Sequence, residues 1–251
     1  TVVNASYGIA HQVNSQIMFF SQTMMSVMKP QIMKSEGAND RERMIRLSLT
    51  ANKFSFYLFT FFAIPLFFEI PFILKLWLNN VPEYTIEFCR SIILLTMMNQ
   101  INMGLMTAIQ AIGQIKVYQI VAGGIQLLTL PIGFIFLKLG YPPYSIILVS
   151  FILESISTLF RIFYFEYLTG YSAYKYFKNV LLNSFFCLVP VILVVYCVQN
   201  QFSSNWLNLI LVFGCSMLTY ILSIYFIGIG DNEKDMFNQL VKTLKNKILK
   251  I

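Results

Sequence analysis

The amino-acid sequence predicts an all-α integral membrane protein with about seven transmembrane helices, and three observations carry that prediction. Only 12% of the 251 residues are charged, while 57% are apolar and the mean hydropathy is +0.67. A soluble chain carries roughly 25% charged residues, which this one lacks. The apolar residues gather into seven runs without the two-residue alternation of a barrel strand, and only helices or closed barrels satisfy their backbone groups in lipid. A soluble enzyme is therefore excluded. The formal charge of +7 sits between the runs, where it reports topology rather than nucleic-acid binding.

The runs cover residues 3–28, 54–78, 91–112, 117–137, 144–168, 180–198 and 206–227. A span needs about 20 apolar residues. The first, third, fourth, sixth and seventh contain no Asp, Glu, Lys or Arg. Pro65 and Pro71 fall in the second run, Pro131 in the fourth and Pro190 in the sixth. Each is expected to bend or break its helix, because proline removes one intrahelical hydrogen bond. Cys89, Cys187, Cys197 and Cys215 lack CxxC spacing and read as small core residues rather than a disulfide or metal set.

Orientation follows from the basic residues. The segments 29–53, 114–116, 169–179 and the tail from 228 hold 14 Lys and Arg, against 3 on the opposite side. The basic side is the cytoplasmic one, so the chain starts outside and ends inside. In the tail, Phe237, Leu240, Val241, Leu244 and Ile248 recur at helical spacing beside Lys242, Lys245 and Lys247. Residues 229–251 are thus expected to form an amphipathic helix on anionic membrane lipids or on the protein's own cytoplasmic face.

Polar residues within the runs mark candidate sites. At about 100° per residue, Asn4, Gly8, His11, Ser15, Gln22 and Ser26 share one face of the first helix, flanked by Gln12, Gln16 and Thr23 on one side and by Asn14 and Ser21 on the other. So many amides and hydroxyls are expected to border a water-filled cavity, the alternative being hydrogen-bonded glue between helices. His11, the only histidine, is either a proton-coupling group or simply hydrogen-bonded. Asn99, Asn102 and Gln110 share a face of the third run and form the expected second wall.

Glu154 and Arg161 lie deep in the fifth run. Seven residues separate them by about 10.5 Å along a helix, so they meet through Thr158 and water or take partners elsewhere. They are either a proton or cation site with an anion contact, or a buried ion pair fixing helix packing. Glu69 and Lys75, near the end of the second run, are expected to snorkel to the interface. No P-loop, GxGxxG, HExxH or GxSxG motif occurs, and a single histidine argues against a multi-histidine metal site. The last run contains no lysine for a retinal Schiff base.

The stretch Lys29-Pro-Gln-Ile-Met-Lys-Ser-Glu-Gly-Ala-Asn-Asp-Arg-Glu-Arg, between a polar helix and the next span, resembles the cytoplasmic loop of multidrug and toxic compound extrusion transporters and of bacterial polysaccharide flippases. Leu74-Lys-Leu-Trp-Leu-Asn-Asn-Val-Pro is similar to the flippase branch. The resemblance implies a fourteen-helix transporter, with residues 1–168 as part of its second lobe, 169–228 as two additional helices and 229–251 as the cytoplasmic tail. It also implies that Thr1 is a truncation point and that the partner lobe of the same protein is missing. The implied function is translocation of an undecaprenyl-pyrophosphate-linked oligosaccharide across the bacterial inner membrane, for surface polysaccharide (O-antigen) biosynthesis. Asn4, His11, Gln12, Ser15 and Gln22 would face the sugar, with coupling to H+ or Na+ and no other cofactor. A cation-coupled antiporter would want an acidic cavity, where Glu154 is the deep carboxylate. A membrane-embedded glycosyl or acyl transferase would want a carboxylate or histidine pair near one face.

Overall fold

Every regular element among the described residues is helical. The computed structural model describes residues 2–201, 206–228 and 230. Apart from Gly230, the expected tail helix at 229–251 lies outside the described residues. Two long helices come first, α1 (Val2–Gly37) and α2 (Arg41–Trp77). A broken pair follows, α3 (Thr85–Gln100) and α4 (Met103–Ile112), then α5 (Ile115–Leu127), α6 (Thr129–Lys138) and α7 (Ser145–Thr169). The short α8 (Ala173–Tyr176) runs through a π-helical stretch at Phe177–Leu182 into α9 (Asn183–Phe186) and α10 (Leu188–Gln201). The last, α11 (Trp206–Ser223), ends in a second π-helical stretch at Ile224–Gly228.

Five spans among these are long and apolar enough to cross a membrane, or six if α3 and α4 count as one. That is fewer than the seven expected. The difference is α1, which at 36 residues has the length but whose amides and hydroxyls hold it below the hydropathy of the others. These spans give the chain the character of a membrane-embedded, all-helical protein.

The charged segment at 29–53 is not a loop. Both helices extend into it, leaving only residues 38–40 as the turn. Lys, Arg and Glu favour helix where water solvates them, so the charges do not stop the helices. The turn is closed by Asn39 in the left-handed region (φ 57°) and by Asp40, whose carboxylate accepts from Arg43 N at 3.1 Å. Arg41 pairs with Glu36 and donates from Nη1 to the Leu168 carbonyl at 3.0 Å, tying the hairpin to the end of α7.

The prolines act unequally. Pro65 and Pro71 lie within a continuous α2. Pro131 and Pro190 each follow a break that falls three residues upstream, at Leu128 and Cys187. Those are the turns whose carbonyls lose the proline N–H as a donor. The sharpest break involves no proline: α3 and α4 meet at 42° across Ile101 and Asn102. Side chains satisfy the backbone groups set free there. Tyr176 Oη donates to Ile101 O at 2.8 Å. Asn102 Nδ2 donates to Met98 O at 2.8 Å, and Asn52 Oδ1 accepts from Gly104 N at 2.6 Å. Asn52 Nδ2 also donates to Tyr176 Oη at 3.0 Å. A broken span is tolerated at membrane depth when its freed groups are repaired in this way.

Two apolar clusters hold the bundle. One gathers Phe56, Ile101, Phe165, Tyr176 and Tyr220. The other gathers Phe59, Ile70, Leu74, Phe88 and Ile93. Cys89 and Cys187 are buried as expected, whereas Cys197 is exposed, and all four thiols are free.

Candidate functional site

The helical repeat of α1 sorts its side chains into two opposed stripes. Ser6, Ala10, Asn14, Ile17, Ser21, Met25 and Met28 are buried against the rest of the chain. Asn4, His11, Gln12, Ser15 and Gln22 are all exposed on the other side. Among the described residues, the side chains of Asn4, His11, Gln12 and Gln22 make no hydrogen bond. His11 rests edge-on against the Tyr7 ring at 4.3 Å. The hydroxyls differ. Ser15 donates to His11 O at 2.7 Å and Ser26 to Thr23 O at 2.7 Å, so their protons are spent within the helix. The open amides are the groups still able to donate and accept at once. The same side also carries Phe19, Phe20 and Val27, so the open face is amphipathic.

The open stripe runs into a groove of about 250 Å³ between α1 and α4. Gln22, Met25, Ser26 and Lys29 of α1 face Met103, Met106, Thr107 and Gln110 of α4 across it. Two expected site residues, Gln22 and Gln110, thus meet, although 88 positions separate them in sequence. Lys29, which lies in α1 rather than in the cytoplasmic loop expected from the sequence, adds a cation, and no carboxylate pairs with it among the described residues. The groove offers one positive charge, two amides and a floor of polarizable methionine.

The second wall is only partly present. Asn99 is exposed on α3. Asn102 is fully buried and cannot line a cavity. Its amide is consumed by Met98 O and by Thr158 Oγ1 of α7, the latter at 2.6 Å. At a helix break the freed carbonyl is the nearest acceptor, and an asparagine there turns inward to meet it.

Glu154 and Arg161 form a direct ion pair, the buried-pair alternative, and neither meet through Thr158 and water nor take partners elsewhere. A helical side chain slopes back toward the N-terminus, so a long arginine crosses the two intervening turns. Gln126 of α5 donates to the other carboxylate oxygen, and the guanidinium lies 5.9 Å from the centre of the Tyr118 ring. Thr158 instead donates to Glu154 O at 2.8 Å and accepts from Asn102. Side chains of α5 and α7 therefore enclose this charge centre, and both charged residues are at most 4% exposed.

Glu69 does not snorkel. It is 3% exposed and accepts from Gln199 Nε2 at 2.9 Å and Asn208 Nδ2 at 3.3 Å. Lys75, one and a half turns on, is exposed as expected. The partners of Glu69 arrive from α10 and α11, which pack on α2, and no periodicity in the sequence announces them.

No protein-family model matches the chain, and neither a curated protein nor a solved structure matches it. The flippase resemblance therefore rests on the two motifs alone.

Proposed function

We propose that the chain is part of a membrane carrier that moves a lipid-linked oligosaccharide from the inner to the outer leaflet, with α1 as one wall of the path. The observation that carries this reading is the unpaired amide stripe of α1 leading into a groove that holds a cation. Amides that donate and accept suit sugar hydroxyls, and Lys29 suits a pyrophosphate. The apolar residues beside the stripe suit an undecaprenyl tail. A second lobe would close the path, and rocking of the two lobes would alternate its access. On the lysine rule the groove opens toward the cytoplasm, where the substrate is made.

The other readings have less support. A cation-coupled antiporter needs an acidic cavity, but the groove is positive and the Glu154 carboxylate is held by Arg161. A transferase needs paired catalytic groups, and His11 rests against Tyr7 rather than a carboxylate.

The test is surface-polysaccharide export in a deletion strain complemented with the full-length gene. Gln22→Leu and Gln110→Leu are each expected to lower export several-fold, and Lys29→Glu about tenfold or more, at unchanged abundance. Loss of a neutral hydrogen bond costs about 0.5–1.5 kcal/mol, and loss of one to a charged group about 1.5–3 kcal/mol. Leu130→Val, on the exposed side of α6 away from the groove, is the control and retains export. Wild-type export from all three variants would remove α1 from the path.

A further inference from the structure

A second groove, of about 110 Å³, lies between α2, α3 and α10 and is lined by apolar side chains only. Ile64 and Phe68 of α2, Leu94 and Met97 of α3, and Leu188 and Ile192 of α10 form most of its wall. Phe67 completes that wall and carries an arginine. Pro71 has no N–H to give to the carbonyl four residues back, so Phe67 O lacks its helical donor. Arg90 of α3 takes that place. Its Nε donates to Phe67 O at 3.2 Å, and its guanidinium lies 5.5 Å from the centre of the Phe67 ring. The two Nη groups make no hydrogen bond or ion pair with any described residue. Arg90 is half-buried, and donors in such a place are normally matched.

Glu87 lies one turn nearer the α2–α3 connection. It is exposed and also forms no hydrogen bond or ion pair among the described residues. The freed carbonyl draws Arg90 across to α2 and away from this neighbour. At about 100° per residue, Glu87, Arg90, Leu94 and Met97 fall within about 80° of one another around α3. One face thus presents an acid, then a cation, then an apolar groove, in order from the helix end inward. We propose that this face binds one phospholipid with a primary-amine headgroup, of the phosphatidylethanolamine type. The phosphate accepts from the Arg90 Nη groups. The ammonium, two carbons beyond the phosphate, reaches Glu87, which stands about 4.5 Å from Arg90 along the axis. An acyl chain enters the groove below Phe67. The bound lipid joins α2, α3 and α10, and so stabilises their packing by mass action. This groove shares no residue with the one between α1 and α4 and does not depend on the flippase reading.

The experiment is native mass spectrometry of the full-length protein released from bilayers with equal amounts of phosphatidylethanolamine and phosphatidylglycerol of the same chains. The wild type is expected to retain the amine lipid several-fold over the glycerol lipid. Arg90→Gln is expected to lower retention of the amine lipid about tenfold, as charge-assisted hydrogen bonds are lost. Glu87→Gln keeps bound lipid but loses the preference. Leu94→Phe narrows the groove and lowers retention of both lipids. Lys138→Gln removes an exposed cation outside the groove and retains lipid as the wild type does. Thermal midpoints show which variants are folded, and Glu87→Gln decides the matter alone if Arg90→Gln is not. Equal retention of the two lipids by the wild type would overturn the proposal. So would an unchanged preference in Glu87→Gln, or a loss in Lys138→Gln as large as that in Arg90→Gln, since lipid would then be held by charge in general.

Discussion

Arg161→Ala and Glu154→Ala are each expected to destabilise the protein by about 3–5 kcal/mol, the usual consequence of leaving one half of a buried ion pair uncompensated. Burial decides the size of the effect: Glu154 is 2% exposed and Arg161 is 4%. Water cannot reach the abandoned charge without opening α7 from α5. In Arg161→Ala the carboxylate keeps only the Gln126 donor. In Glu154→Ala the guanidinium keeps only its approach to the Tyr118 ring, and its Nε has no partner even in the intact pair. The double variant Glu154→Gln/Arg161→Met removes both charges and fills the space with groups of similar volume, so its loss is expected to be far below the sum of the two single losses. Thermal midpoints in detergent for the two alanine variants and the double variant measure this. Single variants as stable as the wild type would mean that water or lipid headgroups reach the pair.

The sequence showed the large features because they depend on composition alone. Apolar runs and the opposed stripes of α1 can be read one residue at a time, since the helical repeat is fixed. Features that depend on a partner's position were not legible. Glu69 reads as an interfacial residue because it lies near the end of its run, yet Gln199 and Asn208 are brought to it by packing across 130 and 139 positions. The break at Ile101 carries no proline, and the side chains that repair it, Asn52 and Tyr176, lie on α2 and α8. A buried pair of Glu154 with Arg161 is legible as one alternative, but its direct contact is not, for another reason. Axial rise places the two α-carbons but says nothing of the slope and length of an arginine side chain. Gln22 and Gln110 each followed from periodicity, while their meeting across the groove is a property of how α1 packs on α4.

Gly104→Ala is expected to be among the most damaging single-methyl changes in the chain, because the added atom meets backbone rather than a side chain that can swing away. A Cβ at Gly104 would overlap the Ser48 carbonyl oxygen, lie 3.0 Å from the Ser48 carbonyl carbon and sit 2.9 Å from Asn52 Oδ1. The close approach lets α4 press against α2 and lets Asn52 receive the Gly104 N–H. Relief of the overlap requires the helices to separate, which breaks that bond and exposes the Asn52–Tyr176–Ile101 chain that supports the kink. Overpacking costs about 1–3 kcal/mol, and leaving a buried polar group unsatisfied costs about 1–3 kcal/mol more. Gly123→Ala and Gly124→Ala in α5 make the contrast, since nothing lies within 4 Å of a Cβ at either position. There the substitution is expected to stabilise the helix, by up to about 1 kcal/mol in propensity. Opposite signs in thermal midpoint for one chemical change are what close approach at the α3–α4 break requires. A Gly104→Ala protein that melts with the wild type would show that α4 does not rest on the Ser48 turn.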